Sequence, residues 1–268
     1  MKSERTFEVV VGVDQTGARK NQSRAKALPT ALLILDNKKK MHNWHLRPSL
    51  ELRDFNKSSL LQLIKENFKE TEWSKVLIVA DCVLGLPKQV VGRKPPYRLL
   101  TSLMEAAARF EGVGLKAGED FFNEHLPVAD KLDDKALLRE QEKFLKCLSV
   151  FKNKPFQRNV QTGTYRIWGD LGQNKEYQNF NIWPYEDSPD KVYLCEGYPA
   201  HAKEIVEREG ANKIEGFSSL KCVSQDHKDA SYLAILGALF FNPSHEIKNK
   251  NEGCILIGNK QAQGLEKR

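Results

Sequence analysis

Val9, Val10, Val11 and Val13 form an almost unbroken β-branched run that ends directly on Asp14. β-Branched side chains favour extended backbone, and a run without polar alternation suits a strand covered on both faces. Gln15, Thr16 and Gly17 then turn the chain. A carboxylate at the end of such a strand is held rigidly from behind and open to solvent in front. It can hydrogen-bond its own turn, as Asp often does, or offer its charge to a ligand. The pattern recurs twice. VLIVAD, residues 76 to 81, ends on Asp81, and KVYLCEGYP, residues 191 to 199, delivers Glu196 ahead of Gly197 and Pro199.

Periodicity places the remaining elements between these anchors. ALLILD, 31 to 36, predicts a second strand, Asn37 and Lys38 a hairpin turn, and Lys39 to Leu46 a third strand. The polar segment Arg19 to Arg24 reads as a loop. Leu60, Leu61, Leu63, Ile64 and Phe68 have helical spacing over 57 to 69, with Ser58 or Ser59 as cap. Further helices are expected around 98 to 110, 134 to 150 and 200 to 209, and a last one from near Asp226 to Phe241. Residues 112 to 185 are less regular and read as an inserted region, with TGTYRIW, 162 to 168, as one strand. A short apolar piece, CILI, precedes a polar terminus expected to fray. The predicted order is three antiparallel strands, then parallel strand–helix crossovers. That is an α/β mixed sheet with helices on both faces, the order of the ribonuclease H-like fold. A single domain over 1 to 268 is expected, with the insertion ahead of the fifth strand.

The bulk numbers narrow the setting. At 268 residues, 40% hydrophobic and 29% charged, the chain can bury a large core and has an ordinary globular balance. Its apolar runs fall short of the roughly 20 residues a membrane span needs. The start, MKSERTFEVVVG, is charged and leads straight into the first strand, so no signal peptide is visible and a cytoplasmic location is expected. Five scattered cysteines without CxxC or Cys/His spacing argue against a disulfide framework or a zinc site. The net charge of +7 permits a polyanionic partner. After Asp81 the loop KQVVGRKPPYR carries Lys88, Arg93, Lys94 and Arg98 around a Pro95–Pro96 pair. These cations either lie beside the carboxylates and hold a nucleic-acid backbone or form ordinary solvated surface.

The last helix, DHKDASYLAILGALFF, places Asp226 and Asp229 three apart on one face. Asp226 also reads as an N-cap. Asp229 lies in line with Tyr232, Leu233, Leu236 and Gly237, where a carboxylate is costly unless paired or bound to metal. Ala230, Ala234, Gly237 and Ala238 are small enough to let this helix approach the sheet closely.

VGVDQTGAR, VLIVADCVLGLP, YLCEGYPA and QDHKDASYLAILGAL, in that order, resemble domain of unknown function 429 over about residues 8 to 241. That family is similar to ribonuclease H-like nucleases and Holliday-junction resolvases and is described as predicted nucleases. The resemblance implies an acidic catalytic set of Asp14, Asp81, Glu196, Asp226 and Asp229. Family members usually read I-D-A-P-L-G after the fourth strand, where this chain has Ala80–Asp81–Cys82–Val83–Leu84–Gly85. Converging carboxylates repel one another and need cations or shared protons, and oxygen-only ligands suit Mg²⁺ or Mn²⁺. Two ions about 4 Å apart would serve phosphodiester hydrolysis, with Asp14 bridging and Asp81, Asp226 and Asp229 completing the shells. Glu196 is either a further ligand or a partner of its own turn. Two other classes share these features. An actin-like kinase or ATPase would need a second Gly-rich phosphate turn, and after Glu196 Gly197 is followed by Tyr198 and Pro199. A non-catalytic nucleic-acid-binding module would gain nothing from clustered negative charge.

Overall fold

The computed structural model describes residues 7–15, 27–36, 43–69, 71–112, 116–151, 158–209, 214–243 and 250–257. Seven strands form one sheet: β1 Val9–Val13, β2 Leu28–Asp36, β3 Asn43–Leu52, β4 Val76–Ala80, β5 Phe180–Ile182, β6 Val192–Glu196 and β7 Ile214–Glu215. Their spatial order is β5-β6-β4-β1-β2-β3-β7. The β1–β2 and β2–β3 pairs are antiparallel, whereas β1–β4, β4–β6, β5–β6 and β3–β7 are parallel. The helices are α1 Lys57–Asn67, α2 Lys88–Val91, α3 Pro96–Ala107, α4 Lys116–His125, α5 Glu140–Leu145, α6 Arg158–Gly172, α7 Pro199–Glu209 and α8 Gln225–Phe240. Among the described residues no helix is long and apolar enough to cross a membrane.

The valine run explains why both faces of the sheet are covered. Alternate side chains of a strand point to opposite faces. Val9, Val11 and Val13 enter one core with Ile78, Leu103, Met104 and Trp168, under α3 and α6. Val10 enters the other with Leu77, Val79 and Cys195, under α7 and α8. The small residues of α8 do bring it close to the sheet. A Cβ on Gly12 would lie 1.9 Å from the Ala230 carbonyl oxygen and 2.6 Å from the Ala234 nitrogen. Only glycine allows β1 and α8 to touch backbone to backbone here, and that contact fixes where the start of α8 sits.

Several local expectations differ from the fold. TGTYRIW lies inside α6, because Thr164, Ile167, Trp168 and Leu171 are buried at helical spacing. Of the helix expected over 134 to 150, only Glu140–Leu145 is α-helical. β3 is described over Asn43–Leu52 and so continues past the expected end at Leu46, while residues 39–42 of the expected strand lie outside the described residues. Asn56 caps α1, its Oδ1 accepting from Ser59 N at 2.8 Å, in place of Ser58 or Ser59. Ser224 rather than Asp226 caps α8 and accepts from His227 N, which leaves the Asp226 carboxylate outside the capping bond. The short strands β5 and β7 carried too few residues to register as periodic patterns. The proposed hairpin turn at Asn37 and Lys38, the loop Arg19 to Arg24 and the polar terminus after 257 lie outside the described residues.

Candidate metal centre

Strand register brings the first two carboxylates together. Val13 is level with Ala80 in the parallel β1–β4 pair, so Asp14 and Asp81 leave neighbouring strands at the same height. Backbone bonds hold both exits: Asp81 N donates to Val13 O and Asp14 N to Pro29 O, each at 2.9 Å. In open α/β sheets, ligand sites lie beyond the carboxyl ends of the parallel strands, which is where these residues emerge. The Gly12–Ala230 contact then lays the first turns of α8, with Asp226 and Asp229, over the same edge.

The electrostatics bind these carboxylates into one group. Burial, followed by the charges of Asp81, Asp229 and Asp226, pushes Asp14 up to about 9. Asp81 is pushed up to about 7, first by burial and then by Glu196 and Asp229, against a lowering influence from the Gln15 amide. Asp229 is also raised, by burial first and by Asp226, while Gln225, Lys203 and Lys228 pull it down. The Gln225 contribution is a hydrogen bond, Nε2 donating to Asp229 Oδ1 at 2.7 Å. Like charges that cannot all ionise in one buried place bind either protons or a cation.

Glu196 adds its charge to the field at Asp81, but its own carboxylate is held from another side. Its partner in the β4–β6 register is Ala80, one residue short of Asp81. Leu194 belongs to the core under α6 and Cys195 to the core under α8, so alternation turns Glu196 back toward α6. There its carboxylate is fully engaged. Arg139 Nη1 donates to Oε2 at 2.7 Å, Arg139 Nη2 donates to Oε1, and Leu84 N donates to Oε2 at 2.8 Å. Glu142 completes the triad, accepting from Arg139 Nη2 at 2.9 Å and from Arg139 N at 2.7 Å. In this arrangement Glu196 has an anchoring place. It ties the loop after Asp81 to the segment that carries α5.

The basic loop begins only after a buried stretch. Lys88, Arg93, Lys94 and Arg98 are exposed, but Cys82 to Pro87, between Asp81 and Lys88, are all buried. The chain thus dives under the surface before the cations begin, and Lys88 N donates to Glu252 Oε1 at 3.1 Å. None of the four is among the charges acting on Asp14, Asp81 or Asp229. The cations that do act there come from the two helices above the site. α7 and α8 pack side by side and both start at the carboxyl edge, with Tyr232 Oη donating to Glu207 Oε1 at 2.8 Å. One helical turn earlier on each, Lys203 of α7 comes level with Lys228 and Asp229 of α8.

No family model, no curated protein and no solved structure matches this chain.

The donors suit a hard divalent cation in kind, since they are oxygen-only carboxylates, and the charge of Asp229 acts on both Asp14 and Asp81. Among the described residues, no group of three or more His, Cys, Asp or Glu side chains is placed to hold a metal ion. Arg139, Lys203 and Lys228 had no periodic or motif signal to mark them. Gln15 stood in plain view beside Asp14 but read only as a turn residue.

Proposed function

We propose that this chain is a metal-dependent nuclease of ribonuclease H-like architecture, hydrolysing phosphodiester bonds in nucleic acid. The observation that carries the reading is the level exit of Asp14 and Asp81 from neighbouring parallel strands, with the charges of Asp81, Asp229 and Asp226 all acting on the buried Asp14. The central strand order β3-β2-β1-β4-β6, three antiparallel strands followed by parallel crossovers, supports the fold assignment. The sequence motifs resemble domain of unknown function 429, a family of predicted nucleases, and the proposal takes its site from that resemblance. Where that family has Ala-Pro, this chain has Cys82–Val83, and Val83 N donates to Thr164 Oγ1 at 3.3 Å, a bond proline could not make. Here the loop is held from α6 and from Glu196 instead.

Asp14, Asp81 and Asp229, with Asp226, would hold Mg²⁺ or Mn²⁺, and the bound cation would supply an activated water and charge neutralisation at the phosphate. The protein's own part is to fix three carboxylates on rigid strand and helix ends. Lys203 and Lys228 then offer positive charge on the rim for the substrate backbone. The test is cleavage of a panel of single-stranded, duplex and branched DNA and of RNA, with each metal. The parent should cut at least one substrate. Asp14→Asn should slow that reaction by about 100-fold or more, since losing several kcal/mol of charge stabilisation has that effect. No cleavage of any substrate by the parent would remove the enzyme reading, and retained binding would then favour the non-catalytic module.

Backbone contact can be read separately, from the salt dependence of binding in chelator. Lys203→Gln with Lys228→Gln should reduce the slope of log affinity against log salt by about 1.5, the share of two phosphate contacts. Arg93→Gln with Lys94→Gln should leave the slope near the parent's. The reverse result would return backbone contact to the loop after Asp81.

A further inference from the structure

Phe144, Leu148 and Tyr198 are three of the four large apolar or aromatic side chains that stand exposed among the described residues, at 52%, 55% and 36%. Two lie on one segment, and the third joins it from much later in the chain. The Tyr198 hydroxyl is hydrogen-bonded to the Cys147 thiol, and Cys147 sits directly before Leu148 and three residues after Phe144. Backbone fixes the other end of the tyrosine: Gly197 N donates to Ala80 O and Ala202 N to Tyr198 O, each at 2.9 Å. The first of these bonds brings Tyr198 out beside Asp81, whose charge acts on its hydroxyl. α5 is tied to β6 as well, because Arg139 at its start bridges Glu142 and Glu196. A ring held in this way loses little freedom when a flat group is laid on it.

Charge indicates what covers the strip. Its segment, KFLKCL over 143 to 148, interleaves cations with apolar side chains. Lys143 and Lys146 are both exposed, with Lys143 Nζ 2.8 Å from Glu140 Oε1. The acids beneath, Glu142 and Glu196, are already paired with Arg139. Lysine is depleted at the cores of protein–protein interfaces, whereas cations interleaved with stacking side chains are how single strands are held.

We propose that Tyr198, Phe144 and Leu148 form a platform on which the bases of a single-stranded nucleic acid stack, with Lys143 and Lys146 beside its phosphates and the strand led toward Asp81. The inference rests on the nucleic-acid reading above and needs no metal. It narrows the substrate class to an unpaired strand or a frayed end, since a duplex keeps its base faces stacked on one another.

The experiment measures binding of fluorescent oligothymidylate, alone and paired with oligodeoxyadenylate, by anisotropy in chelator. The parent should bind the single strand more tightly than a duplex of equal length. Tyr198→Leu keeps an apolar side chain and removes the ring. It should weaken single-strand binding about tenfold, as the loss of one base–aromatic stack does, and leave the salt slope unchanged because no charge is removed. Tyr198→Phe keeps the ring and should bind nearly as the parent does. Val128→Ala, at the fourth exposed apolar side chain, should bind as the parent. Phe144 is more than half exposed, so Phe144→Ala leaves the core untouched, and it should weaken single-strand binding in the same direction even if Tyr198→Leu proves unstable. Unchanged single-strand affinity in Phe144→Ala and in folded Tyr198→Leu would overturn the proposal and leave the nuclease reading standing. If these variants instead dissociate a dimer in sedimentation equilibrium while affinity holds, the strip is a contact between copies and the proposal falls. A parent that binds neither strand nor duplex would remove both readings.

Discussion

Arg139→Met should destabilise the protein by about 3–5 kcal/mol, measured by denaturant unfolding at neutral pH. The guanidinium, with a side chain only 4% exposed, sits between the Glu142 and Glu196 carboxylates, which are 3% and 6% exposed. Burial opposes its charge, but the two carboxylates hold it protonated well above the usual arginine range. Met is close in volume and removes every side-chain donor, leaving two buried carboxylates without a countercharge and each with one backbone donor, Arg139 N and Leu84 N. The damage should spread toward the acidic cluster, because Glu196 also receives Leu84 N from the loop after Asp81. Glu196→Gln should cost less than Arg139→Met, since its amide oxygen can still accept from Leu84 N. A loss below about 1 kcal/mol for Arg139→Met would mean that the triad does not anchor the loop.

The C-terminal segment closes the same structure. Leu256 N donates to Glu196 O at 2.7 Å, and Glu252 Oε2 accepts from Glu140 N at 3.0 Å. The Gln141 amide grips Ile255 both ways, Oε1 accepting from its N at 2.6 Å and Nε2 donating to its O at 3.3 Å. The segment around the short CILI piece is thus a clamp on the loop that follows Asp81, where Lys88 N donates to Glu252 Oε1, and its contacts span from 60 to more than 150 residues in sequence.

That range separates what could be read from the sequence from what could not. Buried strands announce themselves locally, and the valine run, VLIVA and VYLC all lie in the sheet where β-branched and apolar runs put them. The small face of α8 was equally local, and its contact with Gly12 follows from residue size. Asp14 and Asp81 were legible because each ends a strand, and parallel pairing makes such ends neighbours. Glu196 looked identical in sequence. Its difference is one residue of register against β4, and register depends on the partner strand rather than on the strand itself. The inserted region misled for a related reason. Tyr165 and Ile167 alternate like a strand, yet the burial of Thr164, Trp168 and Leu171 follows the surface of α3 against which α6 packs. Lys203 reaches Asp229 only through the packing of α7 on α8, and one helix alone carries no trace of that.

Asp14→Asn should have the other large effect, on the pH dependence of stability. Asp14 and Asp81 rise from an ordinary value of 3.8 to about 9 and about 7 in the fold. Between about pH 4 and pH 9 the folded state therefore holds protons that the unfolded chain has released, so metal-free stability falls as pH rises through that window. The loss should reach several kcal/mol, since each tenfold displacement of a proton equilibrium is worth about 1.4 kcal/mol. Asn carries no charge in either state and removes the largest share of it. At pH 8 the metal-free variant should melt above the parent, and at pH 3, where both states of the parent are protonated, the two should converge. Mn²⁺ should restore the parent at pH 8 and do less for the variant, because metal binding needs the deprotonated carboxylates. The most direct measurement is thus a pair of thermal melts in chelator from pH 4 to pH 9, parent against Asp14→Asn. The account predicts a parent melting temperature that falls across this range and a flatter variant curve that lies above it at pH 8. A parent curve that stays level, or a variant that melts below the parent at pH 8, would contradict the convergence of these carboxylates on one site.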